Sequence, residues 1–147
     1  MNIYLCVYIY IMRIYCDGIY DLLHVGHIEM FQHMKNLSKN AVVVIGIISD
    51  KVATSYKRKP IITEEHRLMM LEQCKYIDEI ITDAPLIITK IFLDKHNIDL
   101  VVHGFADEND IEKQKEFFKI PIELNKFKQI PYSTLDSTTS IINRIKK

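Results

Sequence analysis

The chain has 147 residues, one domain's length, and its 48% hydrophobic and 26% charged residues exclude intrinsic disorder and supply a packed core. Its 19 basic and 19 acidic side chains cancel, so no global basic field for nucleic acid exists and an anionic ligand must be held by local charge and backbone donors. Cys6, Cys16 and Cys74 are odd in number, far apart and without CxxC or Cys/His metal spacing, which reads as reduced thiols in a cytoplasmic protein.

The opening MNIYLCVYIYI is apolar but far shorter than the roughly 20 residues of a bilayer span, and it lacks a basic leader region. Residues 1–11 are expected to be an apolar extension ahead of a domain over 12–147, with Met12 an alternative start. Arg13 to Cys16 reads as a short buried strand broken by Asp17-Gly18. Ile28, Phe31, Met34 and Leu37 fall on one helical face, predicting a helix over about 25–37. Ala41 to Ile48 is a continuous β-branched run, as in a central parallel strand covered on both faces. Residues 51–63 are basic and expected to be loop after a first turn, and Thr63 caps a helix running to about Lys75. A short strand at Glu79–Ile81, a helix over about 89–96 and a strand over 99–103 follow. Residues 107–119 are charged and read as helix or surface loop. Phe127 to Ile130 reads as a last strand, and Ser137 to Ile145 as a helix opened by hydroxyl residues. This alternation predicts a single-domain α/β fold, a Rossmann-like three-layer α/β/α sandwich with a parallel sheet.

The chemistry concentrates in Asp17-Gly18-Ile19-Tyr20-Asp21-Leu22-Leu23-His24-Val25-Gly26-His27, which follows a strand and opens a helix. The first strand-to-helix turn of a parallel sheet is where such folds place phosphates, because the helix start offers free N–H groups and about half a positive charge. His24 and His27 lie on one side of the first turn, and Gly26 lets a phosphate approach the backbone. An HxxH pair can also be half of a metal site, but HExxH is absent and no third ligand is evident in the sequence nearby.

The stretch MRIYCDGIYDLLHVGH resembles the opening of the cytidylyltransferase family, whose hallmark is HxGH after a strand ending in DG-x-(F/Y)-D. It is most similar to the choline-phosphate and ethanolamine-phosphate members. The resemblance continues through IGIISD, SYKRK, TEEHR, CKYIDEIITDAP and FLDKHNIDLVVHG, covering about residues 12–104. It implies transfer of CMP from CTP to phosphocholine or phosphoethanolamine, with pyrophosphate released and Mg²⁺ bridging the triphosphate. His24, His27 and Lys57 would be catalytic, the histidines as donors to phosphate. Cys16, Asp17, Gly18, Ile19, Tyr20, Gly26, Arg67 and His103 would surround the nucleotide. Asp17, Asp21, Lys57, Gly104, Phe105 and Tyr132 would surround the acceptor. Ser137-Thr138-Thr139 resembles part of an RTEGISTSDIITRI signature that binds nucleotide at a helix start. Lys75-Tyr76-Ile77-Asp78 resembles a dimer-interface segment, which implies a homodimer.

Departures from the pattern accompany these matches. Tyr132 and Leu135 stand where RTEG has arginine and glycine, and Arg58 stands where a glycine follows the loop lysine. Leu86 replaces a tryptophan of the choline enzymes, and His103-Gly104 is more like the ethanolamine enzymes. Quaternary ammonium recognition uses aromatic faces and carboxylate, whereas a primary ammonium needs acceptors; Phe105, Asp107, Glu108, Asp110 and Tyr132 could form either site. Glycerol-3-phosphate as acceptor, or a binding module without turnover, are the alternatives. No basic amphipathic helix follows Ile145, so no strong membrane anchor is expected.

Overall fold

The computed structural model describes residues 10–147; the expected extension lies outside the described residues except for Tyr10 and Ile11, both exposed. The chain runs β1 (Met12–Gly18), α1 (Val25–Asn36), β2 (Ala41–Ile47), α2 (Asp50–Tyr56), α3 (Glu64–Glu72), β3 (Glu79–Ile81), α4 (Lys90–Lys95), β4 (Leu100–His103), α5 (Glu108–Glu123), β5 (Phe127–Gln129) and α6 (Thr138–Ile145). The strands form a parallel sheet in the order β3-β2-β1-β4-β5.

Alternation along the central strands fills two cores. Ile14 and Cys16 of β1 join Val43, Ile45 and Ile47 of β2 on one face, packed under Phe31 and Met34 of α1 and Leu71 of α3. Tyr15 and Val44 face the other way, with Leu93 of α4 and Phe118 of α5. Both faces are covered, which explains the unbroken apolar run of β2 and gives the three expected layers. Gly46 sits inside β2 because a Cβ there would stand 2.1 Å from the Tyr15 hydroxyl; its missing side chain admits the tyrosine ring.

Two element expectations change. Residues 51–63, expected to be loop after a first turn, instead carry the helix on to Tyr56 as α2, capped by Ser49, whose side chain accepts from Val52 N–H. Residues 107–119 resolve to helix: α5 is capped by Asp107 and buries Phe118, with Pro121 in its last turn. Thr63 caps α3 as expected, although that helix ends at Glu72.

The strand order places the site. From β1 the chain winds outward through β2 to β3, then returns to the other side of β1 as β4. The connections leaving β1 and β4 therefore part in opposite directions, opening a crevice at their carboxyl ends.

Candidate active site

That crevice is a cleft of about 710 Å³, floored by the end of β1 from Cys16 to Gly18, by His103 at the end of β4 and by Gly104 after it. The turn leaving β1 is tightly wound, with Tyr20 at φ 57° and Leu22 at φ 50°, left-handed conformations that non-glycine residues seldom hold without external support. The support is visible. The Tyr20 hydroxyl donates to Cys16 O at 3.2 Å. The buried Asp21 carboxylate accepts from Ile61 and Ile62 N–H, both at 2.8 Å, and Asp21 O accepts from the Thr138 hydroxyl at 2.9 Å. Asp21 thus ties the turn to the segment before α3 and to the start of α6.

The turn delivers His24 as the cap of α1. His24 Nδ1 accepts from Gly26 N–H at 3.1 Å, and His27 Nδ1 accepts from His24 N–H at 3.3 Å. Each Nδ1 accepts, so it carries no proton, and the proton of each neutral ring sits on Nε2. The rings stack with centroids 3.8 Å apart. Burial holds the His27 imidazole down at about 3, with His24 and Lys57 adding to the effect. His24 is also lowered by burial, against an opposing pull from Asp136. The pair is therefore neutral at pH 7, two N–H donors at the positive end of a helix. Gly26 is required by packing as well: a Cβ there would stand 2.8 Å from the Asp136 carbonyl oxygen.

A short basic strap forms the second wall. Lys57 and Arg58 N–H both bond Ala53 O at the end of α2, and beyond them Ile61 and Ile62 are held by Asp21. Both side chains line the cleft. Burial and the neighbouring Arg58 lower the Lys57 ammonium, while Asp110 raises it.

The third wall belongs to β4, α5 and α6. His103 is pressed between Phe105 and Phe118, at 4.7 and 4.6 Å between centroids, and its buried Nδ1 has no hydrogen-bond partner. Burial lowers it to about 4. Burial also pushes the Asp17 carboxyl up to about 7, opposed by its own backbone N–H. Ser137 caps α6 by accepting from Ser140 N–H, so the first turn of that helix opens onto the cleft beside Thr138 and Thr139.

Residues 15–144 match the family model described as cytidylyltransferase-like. The chain belongs to the cytidylyltransferase-like family. Over 143 residues it is 38% identical to "Choline-phosphate cytidylyltransferase 2" of Arabidopsis thaliana, an alignment covering 92% of this chain and 45% of that protein. Over 135 residues it is 29% identical to the "Ethanolamine-phosphate cytidylyltransferase" of Mus musculus, covering 92% of this chain and 33% of that one. The chain thus spans less than half the length of these relatives. The fold is also that of a "lipopolysaccharide core biosynthesis protein" from Thermoplasma volcanium GSS1, at TM-score 0.63 and 23% identity over 85% of this chain and 98% of that chain.

In this cytidylyltransferase-like domain the cleft gathers Cys16, Asp17, Gly18, Ile19, Tyr20, Asp21, His24, Gly26, His27, Lys57, His103, Gly104, Tyr132, Ser137, Thr138 and Thr139. Three expected site residues do not line it, one of them Glu108 at the exposed start of α5. Arg67 is 1% exposed and lies beneath: its guanidinium donates to Ile62 O, Ile48 O and Ile19 O and pairs with Asp50 at 2.7 Å. It braces the turn, the end of β2 and the strap, so its place is that of a positioning residue. Phe105 packs against His103, Phe118 and Phe127, backing the wall. Tyr56, Phe117, Lys113, Gln114 and Asp136 also line the cleft, beyond the residues to which the sequence points. The α5 wall had a signal in the 3.6-residue spacing of Asp110, Gln114 and Phe117. Asp136 had none, since its role depends on pairing with Arg144 at 2.9 Å and on facing His24.

Proposed function

We propose that this chain transfers CMP from CTP to phosphocholine or phosphoethanolamine, yielding a CDP-alcohol and pyrophosphate for phospholipid synthesis. The observation that carries the reading is the stacked, neutral imidazole pair whose Nδ1 atoms are spent on backbone N–H groups. That leaves two fixed Nε2–H donors at a helix start for the α-phosphate oxygens. An oxygen of the acceptor's phosphate attacks the α-phosphorus, the bond from α-phosphorus to the β-phosphate bridging oxygen breaks, and pyrophosphate departs with that electron pair. No protein nucleophile is needed; alignment and stabilisation of growing charge suffice, and one preorganised donor is worth about 3 kcal/mol. Lys57 reaches the same space from the strap and adds positive charge.

The cleft volume of about 710 Å³ suits a nucleotide with a small acceptor. An amino-alcohol fits the α5 wall, where Tyr56 meets Phe117 edge-on at 6.2 Å and Asp110 supplies a carboxylate for an ammonium. The names of the relatives support both acceptors. Mg²⁺ would enter with the triphosphate of CTP; among the described residues no group of three or more His, Cys, Asp and Glu is arranged to hold a metal ion. A homodimer through the Lys75–Asp78 segment and the β3 edge, and a cytoplasmic location in keeping with free Cys16 and Cys74, complete the reading. Among the described residues no helix is long and apolar enough to cross a membrane.

The test is pyrophosphate release from CTP with phosphocholine, phosphoethanolamine or glycerol-3-phosphate as acceptor. Release with either amino-alcohol is expected. Release with glycerol-3-phosphate alone would reject the acceptor assignment, and CTP binding without release for any acceptor would make the chain a binding module.

A further inference from the structure

The chain has four arginines, and three are committed to carboxylates: Arg13 to Glu79 at 2.8 Å, Arg67 to Asp50 at 2.7 Å and Arg144 to Asp136 at 2.9 Å. The fourth, Arg58, forms no salt bridge among the described residues, and it is the one that lines the cleft. Its Nη1 reaches across to the Thr139 hydroxyl, a long contact of 3.4 Å. Thr139 is in the first turn of α6, whose cap is Ser137. A guanidinium there stands at the positive end of a helix, the wrong end for a cation, and the contact to a neutral hydroxyl does little to offset that repulsion. An anion seated between the two would convert it into attraction from both sides, since Arg58 offers a planar fork of donors and α6 offers free N–H groups.

Resting on the nucleotide-transfer reading above, we infer that Arg58 is a triphosphate-binding residue that grips the β- and γ-phosphates against the start of α6. The α-phosphate end belongs to His24 and His27 at the start of α1. Thr138, in the first turn of α6, bonds Asp21 O in the turn that leads into α1 and so ties the two helix starts together. The facing wall offers Tyr132, a hydroxyl rather than a cation, so among the described residues the one guanidinium lining the cleft comes from the strap. Arg58 is rooted at the end of α2 by its own N–H to Ala53 O at 3.2 Å, so the side chain enters from a fixed base.

Calorimetric binding of CTP and of CMP to the full chain and to R58A, R58G and R58K tests this. CMP lacks the phosphates that Arg58 would hold. R58A and R58G are expected to weaken CTP about tenfold or more, leave CMP within about twofold, and erase most of the preference for CTP. R58K, which keeps a point charge without the fork, is expected to fall between. Unchanged CTP binding in folded R58A and R58G, or an equal loss for CTP and CMP, would overturn the assignment. A wild-type chain that binds CTP no better than CMP would instead overturn the nucleotide reading on which it rests.

Discussion

Replacing His27 by asparagine or by glutamine separates the work of its two ring nitrogens. Asparagine keeps an acceptor near the Nδ1 position and loses the distal N–H; glutamine does the reverse. The Nδ1 contact to His24 N–H is 3.3 Å, at the long end of such bonds, so its loss costs about 0.5 kcal/mol as a cap. For a chain of this size that lowers the melting temperature by about 1–2 °C. In the proposed transfer the Nε2–H would face growing charge, and losing one such donor costs about 3 kcal/mol, roughly 100-fold in turnover. His27→Asn should therefore melt close to wild type while pyrophosphate release falls about 100-fold. His27→Gln should melt a degree or two lower and keep more of its rate. Wild-type turnover in the asparagine variant would refute the donor role, as would equal losses of rate in both variants accompanied by large drops in melting temperature.

Arg67→Ala leaves the carbonyls of Ile19, Ile48 and Ile62 without their donor and opens a hole under the turn, so a loss of about 3–5 kcal/mol is expected in urea titration. A loss below about 1 kcal/mol would show that the brace is dispensable. Asp17 and His27 have opposite pH signatures. The Asp17 carboxyl titrates at about 7 in the fold against its ordinary 3.8, so its contribution is fully present below 3.8 and is lost as pH rises through 7. His27, at about 3 against 6.5, favours the fold above 6.5 and loses that contribution as pH falls toward 3. Asp17→Asn should therefore gain stability over wild type steadily from pH 4 to 7, by a few kcal/mol, and hold the gain at pH 8. A difference that does not change with pH would contradict it.

The order of strands and helices was legible because apolar periodicity is a local property, and β2 declared its burial on both faces through seven apolar residues in succession. α2 was not, because Val52 and Ala53 are the only apolar side chains in its first turns and Ser49 reads equally as a strand stop or a cap. The charged start of α5 hid a helix whose apolar face, Phe117 and Phe118, comes late in the segment. At the site, the HxGH turn was visible because its cause is local: a cap, a glycine and two imidazoles within four residues. Arg67 and Asp21 carry no such signature. Most of their partners are backbone groups, up to 48 residues away in sequence for Arg67 and about 40 for Asp21, and a backbone carbonyl or amide looks the same in any sequence.

The basic strap is pegged at both ends, to Ala53 O behind Lys57 and Arg58 and to the Asp21 carboxylate in front of Ile61 and Ile62. An extra residue between the pegs has nowhere to go except outward as a bulge or inward onto the space the ligand would fill, and a deletion must tear one peg loose. The length of this segment is therefore held more firmly than its charges. An engineer seeking to change what the cleft accepts has freedom to exchange side chains here and almost none to alter the spacing.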